Sequence, residues 1–150
     1  MGHPPRLPPP ALVALCVAAT WMLPASWRIE APWTLRATGL VLAVLGLALN
    51  LYPKRFFRRS GTTVNPLHPE RSSELVTDGP YRWSRNPMYL GHAIALLGWS
   101  LWLAQLAGLA GVAAFLAWID RLQIPAEEAA LRSRFGEAYD DWCRQVRRWL

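Results

Sequence analysis

Long apolar stretches alternate with strongly polar ones along this chain. The first runs from Ala11 to Leu23 without a charge, and the second, from Trp33 to Tyr52, reaches the roughly 20 residues that cross a lipid hydrocarbon core. The third, from Met88 to Ile124, is far too long for a single crossing. We therefore predict that this third stretch folds back on itself as a helical hairpin, which gives four membrane spans in all.

The hairpin turn is predicted between Gln105 and Gly108. Gln105 is the most polar residue in the middle of the stretch, and glycines permit close helix approach on either side of it. These glycines are Gly98, Gly108 and Gly111.

The first apolar stretch has a competing interpretation as a secretory signal. Its 13 apolar residues are followed by Pro24, Ala25 and Ser26, which resemble a cleavage site. Few charges precede the stretch, and this favours a first membrane helix.

The chain after Ile124 has an amphipathic helical pattern. Pro125 suits a first helical turn, and apolar residues recur at spacings of 3 and 4. They are Leu131, Phe135, Tyr139, Trp142, Val146 and Trp149. Gly136 predicts a bend or a stop and restart, and the tail is expected to lie on the membrane surface or to cap the bundle.

Composition and charge agree with a membrane protein. Apolar residues make up 53% of the 150 residues and charged residues only 17%, against about 25% charged in soluble domains. Thirteen of the 16 Lys and Arg lie in residues 53–86 and from Arg121 onward, so we predict that both regions and the N-terminus are cytoplasmic. The net charge of +6 is then explained by topology and contact with anionic lipid rather than by nucleic-acid binding. Four tryptophans are expected at the opposite interface: Trp27, Trp33, Trp99 and Trp102.

Several common kinds of site are disfavoured. Cys16 and Cys143 form no CxxC pair, and His3, His68 and His92 are scattered, so no metal site is expected. The glycine-rich loops of nucleotide sites and the nucleophile elbow of serine hydrolases are also absent. We treat the chain as one domain.

Two polar elements remain that could carry chemistry. The first spans residues 77–92 and leads into the third span, and the second contains Glu127, Glu128, Tyr139 and Arg147. If the apolar hairpin forms, both elements lie at its cytoplasmic mouth and converge.

These elements resemble the integral-membrane S-adenosylmethionine-dependent methyltransferases, which include isoprenylcysteine carboxyl methyltransferases, phospholipid N-methyltransferases and a bacterial thiol S-methyltransferase. The resemblance covers Leu75 to Arg148. It rests on residues 79–82 (GPYR), 85–89 (RNPMY), 127–131 (EEAAL) and 135–139 (FGEAY). In the isoprenylcysteine enzymes a His usually stands where Asn86 stands here, which puts that particular acceptor in doubt.

The resemblance implies an all-α bundle with S-adenosylmethionine held in the half from about 75 to 150. Such a cofactor needs aromatic faces, a carboxylate and a cationic group. We expect Arg85, Glu127 and Glu128 to be catalytic, and the cofactor to be bound by Tyr81, Arg85, Tyr89, His92, Glu128 and Tyr139. Arg82 and Trp142 are further candidates, and Asn65 and His68 fit a loop that folds over the site. Asp120 and Arg121 are expected to form a local ion pair.

The expected acceptor is lipophilic or small and membrane-permeant, because the polar site adjoins the hydrocarbon. Isoprenylcysteine-like carboxyl methylation is the leading expectation, and a phospholipid amine or a thiol is the alternative. Two functions of other classes are a sterol-reductase-like oxidoreductase with a nicotinamide cofactor and a non-catalytic membrane scaffold.

Overall fold

A computed structural model of the chain describes residues 7–59 and 75–150, with only the backbone described for 54–59. Every regular element in these two ranges is helical, which confirms the all-α expectation for this part of the chain. Asn65 and His68 lie outside the described residues. The helices are α1 (Pro9–Met22), α2 (Trp33–Arg59), α3 (Pro87–Leu103), α4 (Ala107–Trp118), α5 (Ile124–Phe135) and α6 (Glu137–Gln145).

Within residues 7–59 and 75–150, two helical segments are long and apolar enough to cross a membrane. They are Trp33–Pro53, with 21 residues, and Ala107–Phe135, with 29. At 14 residues, α1 is shorter than a crossing needs, and α3, at 17, lies at the lower limit. The second predicted span is thus confirmed in position, whereas four complete crossings remain a prediction.

The most extensive helix interface joins α2 to α3, which run antiparallel. Gly39 of α2 lies opposite Gly98 of α3, and Gly46 lies opposite Gly91. A Cβ placed on Gly39 would lie 2.5 Å from the backbone nitrogen of Trp102, so the two backbones approach as closely as glycine allows. Gly98 therefore serves this interface rather than the hairpin.

The hairpin turn lies where the sequence predicts it. Helix α3 ends at Leu103, α4 begins at Ala107, and Ala104 adopts a left-handed conformation with φ of 54°. Helix α1 packs against both arms of the hairpin. Near this turn the rings of Trp99 and Trp102 lie 5.2 Å apart, and the placement of the four tryptophans at a membrane interface stays a prediction.

A π-helical turn, Ile119–Gln123, joins α4 to α5 without a break. Pro125 follows this turn. A π-helical turn is wider than an α-helical one, so it leaves room for the proline ring, which would otherwise clash with the carbonyl four residues before it. Helix α5 begins at Ile124, which confirms Pro125 in a first helical turn, but the π-helical turn precedes it without a break, so Glu127 and Glu128 do not lie at a free helix N-terminus.

The predicted stop and restart at Gly136 is confirmed. Gly136 has φ of +52° and ends α5, and α6 begins at Glu137. The apolar face of α6 packs on residues 75–82 and on α5, so the tail covers one end of the bundle. After Gln145 the chain becomes extended, with Val146 at φ −121°, so the predicted helical pattern does not continue to Trp149.

Candidate active site

The two polar elements meet at one end of the bundle, where α3 begins. A short 3₁₀ turn, Gly79–Arg82, leads into α3, and α5 and α6 pack beside it. The backbone N–H of Arg85 donates to the carbonyl of Arg147 at 2.9 Å, which fixes the tail against the start of α3. The expected convergence of the two polar elements is thus present.

Glu128 lies between two arginines. Its Oε1 is 3.3 Å from Nη1 of Arg85, and Arg148 donates to both carboxylate oxygens, at 2.7 Å from Nη2 and 3.2 Å from Nε. The side chains of Arg85 and Glu128 are only 15% and 16% exposed. Hydrogen bonding to Glu128 is the main cause that raises the pKa of Arg148 above its ordinary value.

Arg85 retains unused donor capacity. Its Nη1 donates to Sγ of Cys143 at 2.6 Å, while its buried Nε has no hydrogen-bond partner among the described residues. A buried cationic donor without an acceptor is costly. This atom therefore marks a place where an anionic group of a ligand would be stabilised.

Glu127 has a different environment from its neighbour. Its Oε1 accepts a hydrogen bond of 2.5 Å from the hydroxyl of Tyr89 and one of 2.6 Å from Nε2 of Gln123. Tyr89 and Gln123 are both buried. Glu127 thus ties α3 to the π-helical turn, and Glu128 faces the arginines.

Three aromatic side chains form a cluster beside the arginines. Tyr81, Tyr139 and Trp142 are buried, and the Trp142 ring lies 6.4 Å from that of Tyr81 and 5.8 Å from that of Tyr139. Burial raises the pKa of both tyrosines well above the ordinary value, and the Glu127 carboxylate contributes at Tyr81. Both phenols are therefore neutral near neutral pH.

His92 lies one turn further into α3. Its Nδ1 is 3.4 Å from Nδ2 of Asn50, and its ring meets the edge of Phe115 at 5.9 Å. These contacts place His92 between α2 and α4. Arg82 and Arg147 have exposed side chains.

Asp120 does not pair with Arg121, contrary to the sequence expectation. Its Oδ1 accepts hydrogen bonds from Nη1 of Arg148 at 3.2 Å and from Nε1 of Trp149 at 3.1 Å, while Arg121 is exposed. Residues adjacent on a helix do not face each other, and the tail supplies the partners instead.

An apolar groove of about 450 Å³ opens between α3 and α4 beside this polar network. Its polar end carries Asp120 and Arg121, and Trp149 lies along it. The other lining residues are Leu90, Ala93, Leu116 and Ala117. The groove is thus mainly apolar along its walls, with its charged groups at one end.

Sequence reasoning missed three residues of this network, Gln123, Cys143 and Arg148, and it also missed Asn50, which contacts His92. Arg148 is the most consequential, because it contacts both Glu128 and Asp120. The change from helix to extended chain at Val146 turns it inward, and the apolar periodicity of the tail gives no sign of that change.

The phospholipid methyltransferase family matches residues 34–138 of this chain. The match covers more than half of the sequence, and the chain belongs to this family. Its region includes the hairpin, Arg85, Glu127 and Glu128, and it stops at the start of α6. No solved structure gives a significant match.

Three relatives show how far the similarity extends. A probable protein-S-isoprenylcysteine O-methyltransferase of Oryza sativa subsp. indica is 31% identical over 108 residues, which are 72% of this chain and 56% of that protein. A protein-S-isoprenylcysteine O-methyltransferase of Schizosaccharomyces pombe is 35% identical over 72 residues, or 48% of this chain and 30% of that protein. A Haemophilus influenzae protein described as uncharacterized is 43% identical over 63 residues, 42% of this chain and all of that protein. This chain therefore spans little more than half of the rice enzyme and less of the yeast enzyme.

Proposed function

We propose that this protein is a membrane-embedded methyltransferase that moves a methyl group from S-adenosylmethionine to a lipophilic acceptor. The observation that carries the proposal is the ion pair of Arg85 and Glu128, in the region that matches the family. In this pair Nε of Arg85 has no hydrogen-bond partner among the described residues. Both side chains are largely shielded from water, and both lie beside an aromatic cluster.

The residues fit the proposed cofactor. The orphaned Nε of Arg85 suits the carboxylate of its amino-acid end, and Glu128 suits its ammonium group or its ribose hydroxyls. Tyr81, Tyr139 and Trp142 offer aromatic faces for the adenine ring or the sulfonium group. His92 remains a candidate for contact with the cofactor, which it would approach from the side of α2.

S-adenosylmethionine supplies an already activated methyl carbon, so the protein's task is alignment and exclusion of water. Orientation of this kind contributes roughly 7–11 kcal/mol of barrier reduction in favourable cases. Arg85 and Glu128 would fix the donor, and Glu127, held by Tyr89 and Gln123, would keep the start of α3 in register with α5. No covalent nucleophile is needed.

The groove between α3 and α4 supports a lipophilic acceptor. The names of the rice and yeast relatives favour an isoprenylcysteine carboxylate, whereas the family description favours a phospholipid amine. Asn86 cannot act as a base, and its amide donates to the carbonyl of Arg148 at 3.0 Å, which gives it a role in holding the tail. A carboxylate or thiolate acceptor needs no base, but an ammonium acceptor must first lose a proton, for which Glu127 and Glu128 are the nearest groups.

Calorimetry on the purified protein in detergent tests the proposed activity class. S-adenosylhomocysteine should bind and NADPH should not, and Arg85→Ala should weaken S-adenosylhomocysteine binding by about tenfold to a hundredfold. Arg82→Ala is the matched control, because Arg82 lies in the preceding turn with an exposed side chain. Binding of NADPH alone would instead identify an oxidoreductase, and binding of neither would identify a scaffold.

A screen of acceptors with labelled S-adenosylmethionine then identifies the methylated atom. With a carboxylate acceptor the rate should be nearly flat from about pH 6 to 9, since that group is ionised well below this range. A steep rise with pH would reject a carboxylate and favour a thiol or an amine.

A further inference from the structure

Arg148 occupies an unusual position, because one guanidinium joins two regions of the proposed site. It holds both oxygens of Glu128, at 2.7 and 3.2 Å, and reaches Oδ1 of Asp120 at 3.2 Å. Asp120 lies at the polar end of the apolar groove, and Glu128 faces Arg85. Arg148 thus lies between the proposed donor site and the groove.

The backbone around Arg148 is also fixed by hydrogen bonds. The carbonyl of Arg148 accepts hydrogen bonds from Nδ2 of Asn86 at 3.0 Å and from Oγ of Ser84 at 3.4 Å, and the carbonyl of Arg147 accepts one from the N–H of Arg85. The segment that carries Arg85 and the segment that carries Arg148 are therefore fixed relative to each other.

Glu128 pairs unequally with the two arginines. Arg148 makes a two-oxygen contact with it, whereas Arg85 stays at 3.3 Å and keeps its buried Nε without a partner among the described residues. Planar two-point pairing of a guanidinium with a carboxylate is stronger than a single contact. Without Arg148, the carboxylate would be free to turn fully onto Arg85 and to neutralise it.

We propose that Arg148 is a positioning residue that draws Glu128 away from Arg85 and so keeps Arg85 available to the carboxylate of the methyl donor. The inference rests on the proposed function, since it assigns Arg85 to that carboxylate. Arg148 touches neither substrate in this scheme and acts through Glu128.

A double-mutant cycle on S-adenosylhomocysteine affinity tests the idea. Arg148→Gln should raise Kd about tenfold, and Arg148→Lys, which keeps the charge but cannot make the planar two-point contact, should fall in between. Glu128→Gln removes the competing charge, so the Glu128→Gln, Arg148→Gln double variant should bind no more weakly than Glu128→Gln alone. Additive losses would overturn the proposal.

Two matched variants separate positioning from general loosening of the tail. Arg147→Gln alters the exposed neighbour and should leave Kd unchanged. Asp120→Asn weakens the other contact of Arg148 but leaves Glu128 paired, so its Kd should stay within about twofold of wild type. If Asp120→Asn matched Arg148→Gln, a purely structural role would replace the one proposed.

A readout without ligand keeps the test separate from the proposed function. If wild-type protein failed to bind S-adenosylhomocysteine, the proposed function would fall, but the relation between the arginines could still be measured by ¹⁵N NMR of arginine Nε–H groups. Arg148→Gln should move the Arg85 signal, and adding Glu128→Gln should largely restore it. An Arg85 signal that does not respond to Arg148→Gln would overturn the inference.

Discussion

The hydroxyl of Tyr89 donates a hydrogen bond of 2.5 Å to Oε1 of Glu127, joining the first turn of α3 to α5. The two residues are 38 positions apart, and the apolar hairpin lies between them. This bond links the two polar elements directly, and Gln123 supports it by donating to the same oxygen at 2.6 Å.

Tyr89→Phe should lower the free energy of unfolding by about 1.5–3 kcal/mol, the scale of a hydrogen bond to a charged group. Urea unfolding in detergent micelles, followed by tryptophan fluorescence, gives the measurement. A double-mutant cycle with Glu127→Gln isolates the pair, and a coupling energy below about 0.5 kcal/mol would argue against this bond as the link.

The two neighbouring glutamates should behave differently. Glu128→Ala should weaken S-adenosylhomocysteine binding by about 1.5–3 kcal/mol with the folded fraction largely unchanged, because Glu128 faces Arg85. Glu127→Ala is the paired control and should chiefly lower stability, because it removes the acceptor for Tyr89 and Gln123. Calorimetry and thermal unfolding of both variants check this, and unchanged affinity in both would leave the pair with a structural role alone.

The fold could be predicted where local sequence determines it. The hairpin turn follows from Gln105 in an apolar stretch, and the break in the tail follows from Gly136. The close pairing of Gly46 with Gly91 depends on the register between two separate helices, which no local pattern specifies. The π-helical turn Ile119–Gln123 could not be predicted, because Pro125, which follows it, fits the first turn of a new helix equally well.

The candidate site also has a part that the sequence predicts and a part that it does not. Arg85 and Glu128 could be predicted as site residues because each lies in a motif of the resembled family, and the structure brings them together. Arg148 could not, since its position depends on the chain becoming extended at Val146. The expectation that His92 faces the cofactor rests on its position one turn inside the third span and stays a prediction, whereas its contact with Asn50 depends on the packing of α2.

The α2–α3 interface should tolerate no added volume. A Cβ on Gly98 would overlap the backbone of Ala43 and Gly39, so Gly98→Ala should destabilise the protein by about 1–3 kcal/mol or more. Gly111→Ala is the matched control, because its Cβ would meet only Cys16 Cβ at 3.8 Å, and alanine favours the helix by up to about 1 kcal/mol. Thermal unfolding compares the two, and equal midpoints would contradict this account of the interface.

Stability should fall in strongly alkaline solution. The pKa values of Tyr81 and Tyr139 are raised in the folded state, mainly by burial, from an ordinary value of 10.0. Their contribution is complete below about pH 10. Above that pH the unfolded chain loses phenolic protons that the folded chain retains, so the free energy of unfolding falls by about 1.4 kcal/mol per pH unit for each tyrosine. Urea unfolding from about pH 9 to 11.5 gives the slope.

Phenylalanine variants provide the control for this slope. Tyr81→Phe and Tyr139→Phe should each make the alkaline decline shallower, and the double variant should reduce it most, because each removes one titrating group. An unchanged slope in the double variant would assign the alkaline decline to other groups.

The tail and the segment before α3 should lie on the same side of the membrane, and that side should be the cytoplasm. Arg85 is hydrogen-bonded to Arg147, so the two segments cannot be separated by the bilayer. Thirteen of the 16 basic residues lie in residues 53–86 and from Arg121 onward, and basic segments favour the cytoplasmic side.

Fusions of green fluorescent protein and of alkaline phosphatase after Leu150 report the two locations, and the same reporters inserted between Pro32 and Trp33 test the opposite end. We expect fluorescence after Leu150 and phosphatase activity at Pro32. Phosphatase activity after Leu150 would reverse the orientation and, with it, the side from which the methyl donor enters.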